Sequence, residues 1–193
     1  MLRRLYDWTM NLAAHRRAKY ALFGVAFAES SFFPIPPDVM LIPMVIAERA
    51  KAWFYATIAT VGSVLGGIAG YLIGYFLFEQ LGKPILEFYG KTEALEQFAT
   101  WFNEWGPVIV VIGGLTPFPY KVITITAGVV AMPFLPFVIW SIIGRSPRFF
   151  MVAGLLYYFG PPIREFIERR LTLVTTVFAI LLVGGFIAIK FFV

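Results

Sequence analysis

The chain has no cysteine, a single histidine (His15), and charged side chains at only 14% of its 193 positions. Without cysteine there is no disulfide, no thiolate-held metal and no cysteine nucleophile. His15 lies in a charged N-terminal stretch, where it reads as a solvated member of a polar face. The sequence has no metal-ligand cluster, no Ser/His/Asp set and no Gly-rich phosphate loop, so neither an enzyme nor a metal or cofactor site is expected. Residues 1–19 lack the continuous apolar core of a cleavable signal peptide, and insertion by the chain's own helices is expected.

What is there is apolar. Hydrophobic residues make up 60% of the chain and aromatic residues 18%, with a mean hydropathy of +0.80. A soluble domain of this size has no use for so much apolar surface. The apolar runs are continuous rather than alternating, which argues against an outer-membrane barrel. The expected fold is an all-α integral membrane protein, with 1–193 as one membrane domain. The net charge of +5 is unevenly placed, and its placement along the chain says more than its sum. No nucleic-acid partner is expected from it.

Residues 114–128 hold the feature around which the rest is organised. Pro117 and Pro119 interrupt an apolar run, and Lys121 follows at once. Each proline in a helix interior costs roughly 3 kcal/mol, and a lysine at bilayer depth costs about as much again. Non-helical backbone at that depth survives only where protein or a water-filled cavity surrounds it. Pro34, Pro36, Pro37 and Asp38 repeat the pattern earlier. Pro34 to Pro117, Pro36 to Pro119 and Asp38 to Lys121 are each 83 positions apart. Pro-x-Pro-x-charge thus occurs twice, once ending in an acid and once in a base, as in an internal duplication that sets two broken elements face to face.

Taken in order, residues 2–19 read as an interfacial amphipathic helix, with Leu5, Trp8 and Leu12 opposite Arg3, Arg4, Asp7, Asn11 and His15. Residues 20–47 contain the first break; each half is shorter than the ~20 residues a crossing needs. Residues 53–78 form the cleanest transmembrane span. Its Gly62, Gly66, Gly70 and Gly74 recur every fourth residue, a stripe for close helix packing, with a lipid path along the groove as the lesser reading. Residues 79–105 form a second interfacial helix carrying Phe98, Trp101, Phe102 and Trp105 on one face. Residues 106–132 hold the second break. Residues 134–159 form a span interrupted at 144–148 and ended by Pro161-Pro162, and residues 171–189 form a last span. Lysines and arginines divide ten to three in favour of the N-terminal side, which places the N-terminus in the cytoplasm. The count is the same whether 20–47 and 106–132 are re-entrant hairpins or kinked spans. Short halves and charged tips favour hairpins.

Five ionisable residues fall at membrane depth: Glu29, Asp38, Lys121, Arg145 and Arg148. Unpaired, they would cost on the order of 10 kcal/mol or more. They are therefore expected to share a polar interior, with Asp38 and Lys121 as the pair the repeat suggests. Arginine grips phosphate through a fixed fork of donors, lysine adds a point charge, and an acid that takes up a proton can couple the site to a proton gradient. The bland alternative is that the charges only hold the bundle together.

Glu29 with the Pro-Ile-Pro-Pro-Asp tip, the glycine-rich span, Leu-Thr-Pro-Phe-Pro-Tyr-Lys followed by Ala127-Gly128, and Gly-Arg-Ser-Pro-Arg-Phe together resemble the DedA family, also called the SNARE-associated or VTT-domain family, most closely its YqaA-like branch. The resemblance covers roughly residues 20–160. It implies an inverted repeat of two opposed re-entrant hairpins, each followed by a transmembrane helix. It also implies movement of lipids between leaflets, undecaprenyl phosphate or phospholipids among them. The family's acids match Glu29 and Asp38. Its second tip usually carries two arginines; here those places hold Leu115 and Lys121, and Arg145 and Arg148 are candidates to supply the missing charge. The expected function is a multi-pass flippase or scramblase of the bacterial inner membrane, moving an anionic, phosphate-bearing lipid. A proton-coupled exchanger of small ions or solutes, or a non-transporting envelope-integrity scaffold, are the alternatives. A homo-oligomer is left open.

Overall fold

The computed structural model describes residues 17–33, 35–78, 80, 92–116 and 119–169, and among these every regular element is helical. They are α1 (Ala18–Ser31), α2 (Asp38–Ala47), a single 3-10 turn (Arg49–Lys51), α3 (Ala52–Leu77), α4 (Thr92–Leu115), α5 (Tyr120–Val129) and α6 (Phe134–Arg169). The expected amphipathic helix up to residue 16, the last span at 171–189, and the tip prolines Pro34 and Pro117 lie outside the described residues. Among the described residues one helix, Arg49–Leu77, is long and apolar enough to cross a membrane. Two short apolar helices, α2 and α5, have 10 residues each. At 1.5 Å per residue each is about 15 Å long, half the thickness of a bilayer's hydrocarbon core.

The breaks form where the sequence places its prolines. Pro37 caps the N-terminus of α2 and Asp38 occupies its first turn. Proline is tolerated there because the first N–H groups of a helix have no internal acceptor, and an acid suits the positive end of the helix dipole. Pro119 plays the same part for α5 in an extended conformation. At its other end α5 closes with Ala131 in the left-handed region (φ 49°), where Ala131 N–H bonds to the Gly128 carbonyl at 3.0 Å and Met132 N–H to the Ala127 carbonyl at 2.9 Å. This is the Schellman arrangement, with alanine where glycine is usual, and Pro133 follows it directly.

Helix α3 is the hub, and its small residues explain why. A Cβ placed on Gly62 would stand 2.7 Å from the Phe23 carbonyl oxygen; one on Gly66 would strike the backbone of Phe27, and one on Gly70 would stand 3.0 Å from the Ser30 carbonyl oxygen. Further along, Gly74 meets the backbone of Ile125, and Gly128 of α5 meets that of Tyr71. The stripe therefore seats α1 along its first half and α5 along its second, each running in the direction of α3. Close packing is its role.

Two apolar clusters lie at opposite ends of α3. One joins Leu22, Leu41, Met44, Val45, Ala52, Ala56, Phe149 and Ala153; the other joins Tyr71, Phe102, Val110, Tyr120, Ile123 and Phe137. Helix α6 passes through the second cluster before the first, so it runs antiparallel to α3. The start of α1, the end of α2 and the start of α3 share one cluster, so the chain goes in along α1 and returns along α2. Residues of α4 and α5 share the other cluster. Between the clusters lies a polar layer.

Four sequence expectations need correction. Gly144–Arg148 does not interrupt α6, and Pro161-Pro162 does not end it: the helix runs unbroken to Arg169. Packing against α3 and α4 outweighs the lost helical bonds. At Pro161, which has no N–H to give the Tyr157 carbonyl, the Arg49 guanidinium bonds to that carbonyl instead. The proposed border between an interfacial helix and the second broken element, at 105/106, falls inside α4, which continues through Pro107. The border at 19/20 likewise falls inside α1.

Candidate functional site

The polar layer is assembled from four helices that the sequence keeps far apart. Glu29 and Ser30 come from the last turn of α1, Ser63 from the glycine face of α3, Tyr120 and Thr124 from α5, and Arg145 and Ser141 from α6. Arg145 is fully buried (0% exposed) and its Nη2 lies 2.6 Å from Glu29 Oε2. Its Nε donates to the Ser63 hydroxyl, which is 2.7 Å from the Ser30 hydroxyl; the latter donates to Glu29 Oε2 at 3.0 Å. The guanidinium stacks over Tyr120 and Phe149, 4.7 and 4.9 Å from the ring centres. Tyr120 is held in turn by a 2.7 Å hydrogen bond to Ser141, and Thr124 donates to the Ser30 carbonyl at 3.0 Å. An arginine out of water survives only with its charge and donors answered. Here a carboxylate, hydroxyls and two ring faces answer most of it; Arg145 Nη1 has no hydrogen-bond partner.

One helical turn further along α6, Arg148 builds a second arrangement. Its Nη2 lies 2.6 Å from Asp38 Oδ2, at the first turn of α2, and its Nη1 donates to the Thr116 carbonyl at 3.1 Å, just past the end of α4. One guanidinium thus touches the chain at both breaks. This pair is more open: the side chains of Arg148 and Asp38 are 14% and 16% exposed. The other carboxylate oxygen, Asp38 Oδ1, is buried without a partner.

Asp38 and Lys121 do not pair with each other, contrary to the symmetry of the repeat. The acid goes to Arg148. Lys121 stands half-buried in the first turn of α5 and has no ion-pair partner among the described residues. Arg148 of α6 reaches the acid instead, and the same guanidinium reaches the Thr116 carbonyl at the second break. The excess positive charge of the set therefore rests on Lys121. Pro36 and Pro37 directly precede Asp38, with Pro37 buried, and Pro119 lies beside Tyr120. Leu115 is exposed at the end of α4.

Ser30, Ser63, Tyr120, Thr124 and Ser141 were not singled out by the sequence. The signal that could have found them is that each is a hydroxyl residue within an apolar run, three of them within one turn of a charge or a break.

A family model described as the VTT domain matches residues 35–158. The span covers Pro36–Asp38 of the first break, the second break, the glycine stripe and both arginines, and the chain belongs to that family, as its motifs suggested. An "Uncharacterized protein" of Haemophilus influenzae is 37% identical over 186 residues, 96% of each chain. "Inner membrane protein YqaA" of Escherichia coli is 24% identical over 136 residues, covering 70% of this chain and 88% of the relative. "Undecaprenyl phosphate transporter A" of Bacillus subtilis is 29% identical over 100 residues, covering 47% of this chain and 50% of the relative. No solved structure matches the chain.

Proposed function

We propose that this protein is a bacterial inner-membrane lipid transporter that moves an anionic, phosphate-bearing lipid between leaflets. In this reading α1–α2 and α4–α5 are re-entrant hairpins that enter from opposite faces, and their tips meet at the arginines of α6. The half-length of α2 and α5 supports this, as does the return of α2 to the start of α3. So does kinship with proteins named as an inner membrane protein and as a transporter of undecaprenyl phosphate. The N-terminus lies in the cytoplasm.

The observation that carries the reading is the pair of contacts made by Arg148, one to Asp38 beyond the first break and one to Thr116 at the second. An arginine at this position is partly open and presents the donor fork that suits phosphate. Lys121 supplies a further positive charge, while Arg145 and Glu29 fix the first tip against α3 and α6. Asp38 and Glu29 are the groups through which a proton could be coupled. No cofactor or catalytic step is part of the proposal.

The test is a reconstitution. Purified protein in liposomes should accelerate flip of fluorescent or isotopically tagged lipids with an anionic phosphate headgroup over neutral diacylglycerol, and Arg148→Gln should abolish the gain. Flux of protons or small ions without lipid flip would favour an exchanger. Neither activity, with envelope defects in cells lacking the protein, would favour a scaffold.

A further inference from the structure

The two ion pairs of the polar layer are built differently. Glu29 Oε2 receives hydrogen bonds from both Arg145 and Ser30, and Arg145 is enclosed by Ser63, Tyr120 and Phe149. Asp38 gives one oxygen to Arg148 and leaves the other buried and unanswered. Each pair carries one buried polar atom without a partner, Asp38 Oδ1 in one and Arg145 Nη1 in the other, but Glu29 takes two hydrogen bonds and Asp38 only one, so the Asp38–Arg148 pair is the less firmly held. It is also the more open, with side chains 14% and 16% exposed against 0% and 11% for Arg145 and Glu29. Arg148 divides its donors between the breaks, Nη2 to Asp38 and Nη1 to the Thr116 carbonyl. A phosphate that takes the arginine fork in the usual bidentate way needs both nitrogens.

From this we infer that the Asp38 carboxylate is a stand-in anion, which the phosphate of the transported ligand displaces from Arg148, and that the displacement frees both breaks at once. The inference rests on the transport reading and deepens it: Arg148 is the phosphate-binding residue, Asp38 its competitor, and Arg145 a positioning residue that keeps the first break in place. Displacement leaves Asp38 a charged group with no partner, which favours its rotation toward the open side. Binding of the ligand is thereby coupled to separation of the tips, so the path opens where an anion is present to occupy it.

The sign of one substitution tests this. A carboxylate that helps to bind substrate predicts that Asp38→Asn weakens binding; a competing carboxylate predicts that it strengthens binding. With the full chain in detergent, dihexanoyl phosphatidic acid should bind Asp38→Asn about tenfold tighter than wild type. Asp38→Glu, which keeps the competing charge, should stay near wild type, and Arg148→Gln should bind neither. Equal or weaker binding to Asp38→Asn overturns the inference, as does a failure of both wild type and Asp38→Asn to bind. Dihexanoylglycerol should not bind, and equally tight binding of it would overturn the phosphate assignment. Inorganic phosphate binding as tightly as the lipid would support the stand-in with free phosphate as the anion.

Should Asp38→Asn not fold, a distance measurement keeps Asp38 intact. The chain has no cysteine, so spin labels on Ile35→Cys and Leu115→Cys, both exposed beside the breaks, report tip separation directly. Adding dihexanoyl phosphatidic acid should lengthen the distance, and an unchanged distance at saturating ligand overturns the coupling. Tighter binding to Asp38→Asn without flip in liposomes would leave the stand-in in place and remove the transport reading. Flip without tighter binding would do the reverse.

Discussion

The Arg49 guanidinium donates to the main-chain carbonyl of Tyr157, the acceptor that Pro161 leaves without its helical donor. A side chain from the turn before α3 thus repairs the backbone of α6 at the far end of the sequence, and the ring of Tyr157 lies beneath it, 5.8 Å from the guanidinium carbon. Removing Arg49 leaves the carbonyl unanswered. Arg49→Ala should lower stability by about 1–3 kcal/mol. In the Pro161→Ala background, where the helical N–H returns, the same change should cost about 1 kcal/mol less. Thermal or denaturant unfolding of the four proteins in detergent measures the coupling, and purely additive effects would refute the repair.

Arg145 is expected to tolerate no replacement. Arg145→Gln strands Glu29 and should cost about 3–5 kcal/mol. Arg145→Lys keeps the charge but not the planar fork that reaches Glu29 and Ser63 together, so it should also fall well below wild type in unfolding temperature. If lysine proves neutral, the hydroxyl and ring contacts do not hold the guanidinium.

The glycine stripe gives a contrast within one protein. A Cβ at Gly66 meets the backbone of Phe27, which has nowhere to go, whereas a Cβ at Gly24 meets nothing within 4 Å. Gly66→Ala should cost about 1–3 kcal/mol through displaced helices. Gly24→Ala should be neutral or add about 0.5–1 kcal/mol through helix propensity. Folded yield and thermal stability of the two variants decide it, and equal behaviour would mean that α1 does not sit on the stripe.

The proposed opposed hairpins fix the side on which each end of the bundle would emerge. Lys51 and Glu96 are both exposed, one beside the start of α3 and the other in α4. Lys51→Cys should resist a membrane-impermeant thiol reagent in intact spheroplasts and react once the inner membrane is opened. Glu96→Cys should react from outside. The reverse pattern, Lys51→Cys labelled from outside and Glu96→Cys only after opening, would require the first broken element to span, and labelling of both from one side would mean that α3 does not cross.

Glu48 supplies a pH dependence outside the apolar helices. The Lys51 ammonium, 2.7 Å away, and the Tyr55 hydroxyl at 3.0 Å hold its carboxyl below the ordinary value. A depressed acid contributes stability that is present above its unfolded pKa, about 4.3, and is lost as pH falls through the folded value. Unfolding temperature should therefore decline below about pH 4.3, and Glu48→Gln should make the decline shallower. No change in slope would show that the contact is not kept in solution.

The sequence by itself determined much of this protein. Its apolar runs dictate helices, because a chain in lipid must satisfy its own backbone. Pro36-Pro37-Asp38 and Pro119 dictate where two of them restart, because proline has no N–H to give and helix starts need none. Gly62, Gly66, Gly70 and Gly74 dictate a close-packing face, because they recur at the helical repeat. The five intramembrane charges announce a polar interior, because none can stand alone at that depth. The partnerships were decided only by tertiary structure. The repeat pointed to Asp38 with Lys121, but register along α6 places Arg148 between the breaks, and a guanidinium there can reach both at once. Proline-broken patterns at 144–148 and 161–162 argued for interruptions in α6. They are absent because packing along the helix, and at Pro161 a donor from residue 49, make good what the backbone lacks. Local sequence states which groups need a partner; which partner each one gets depends on contacts between helices up to 116 positions apart, and those are set by the whole bundle closing on α3.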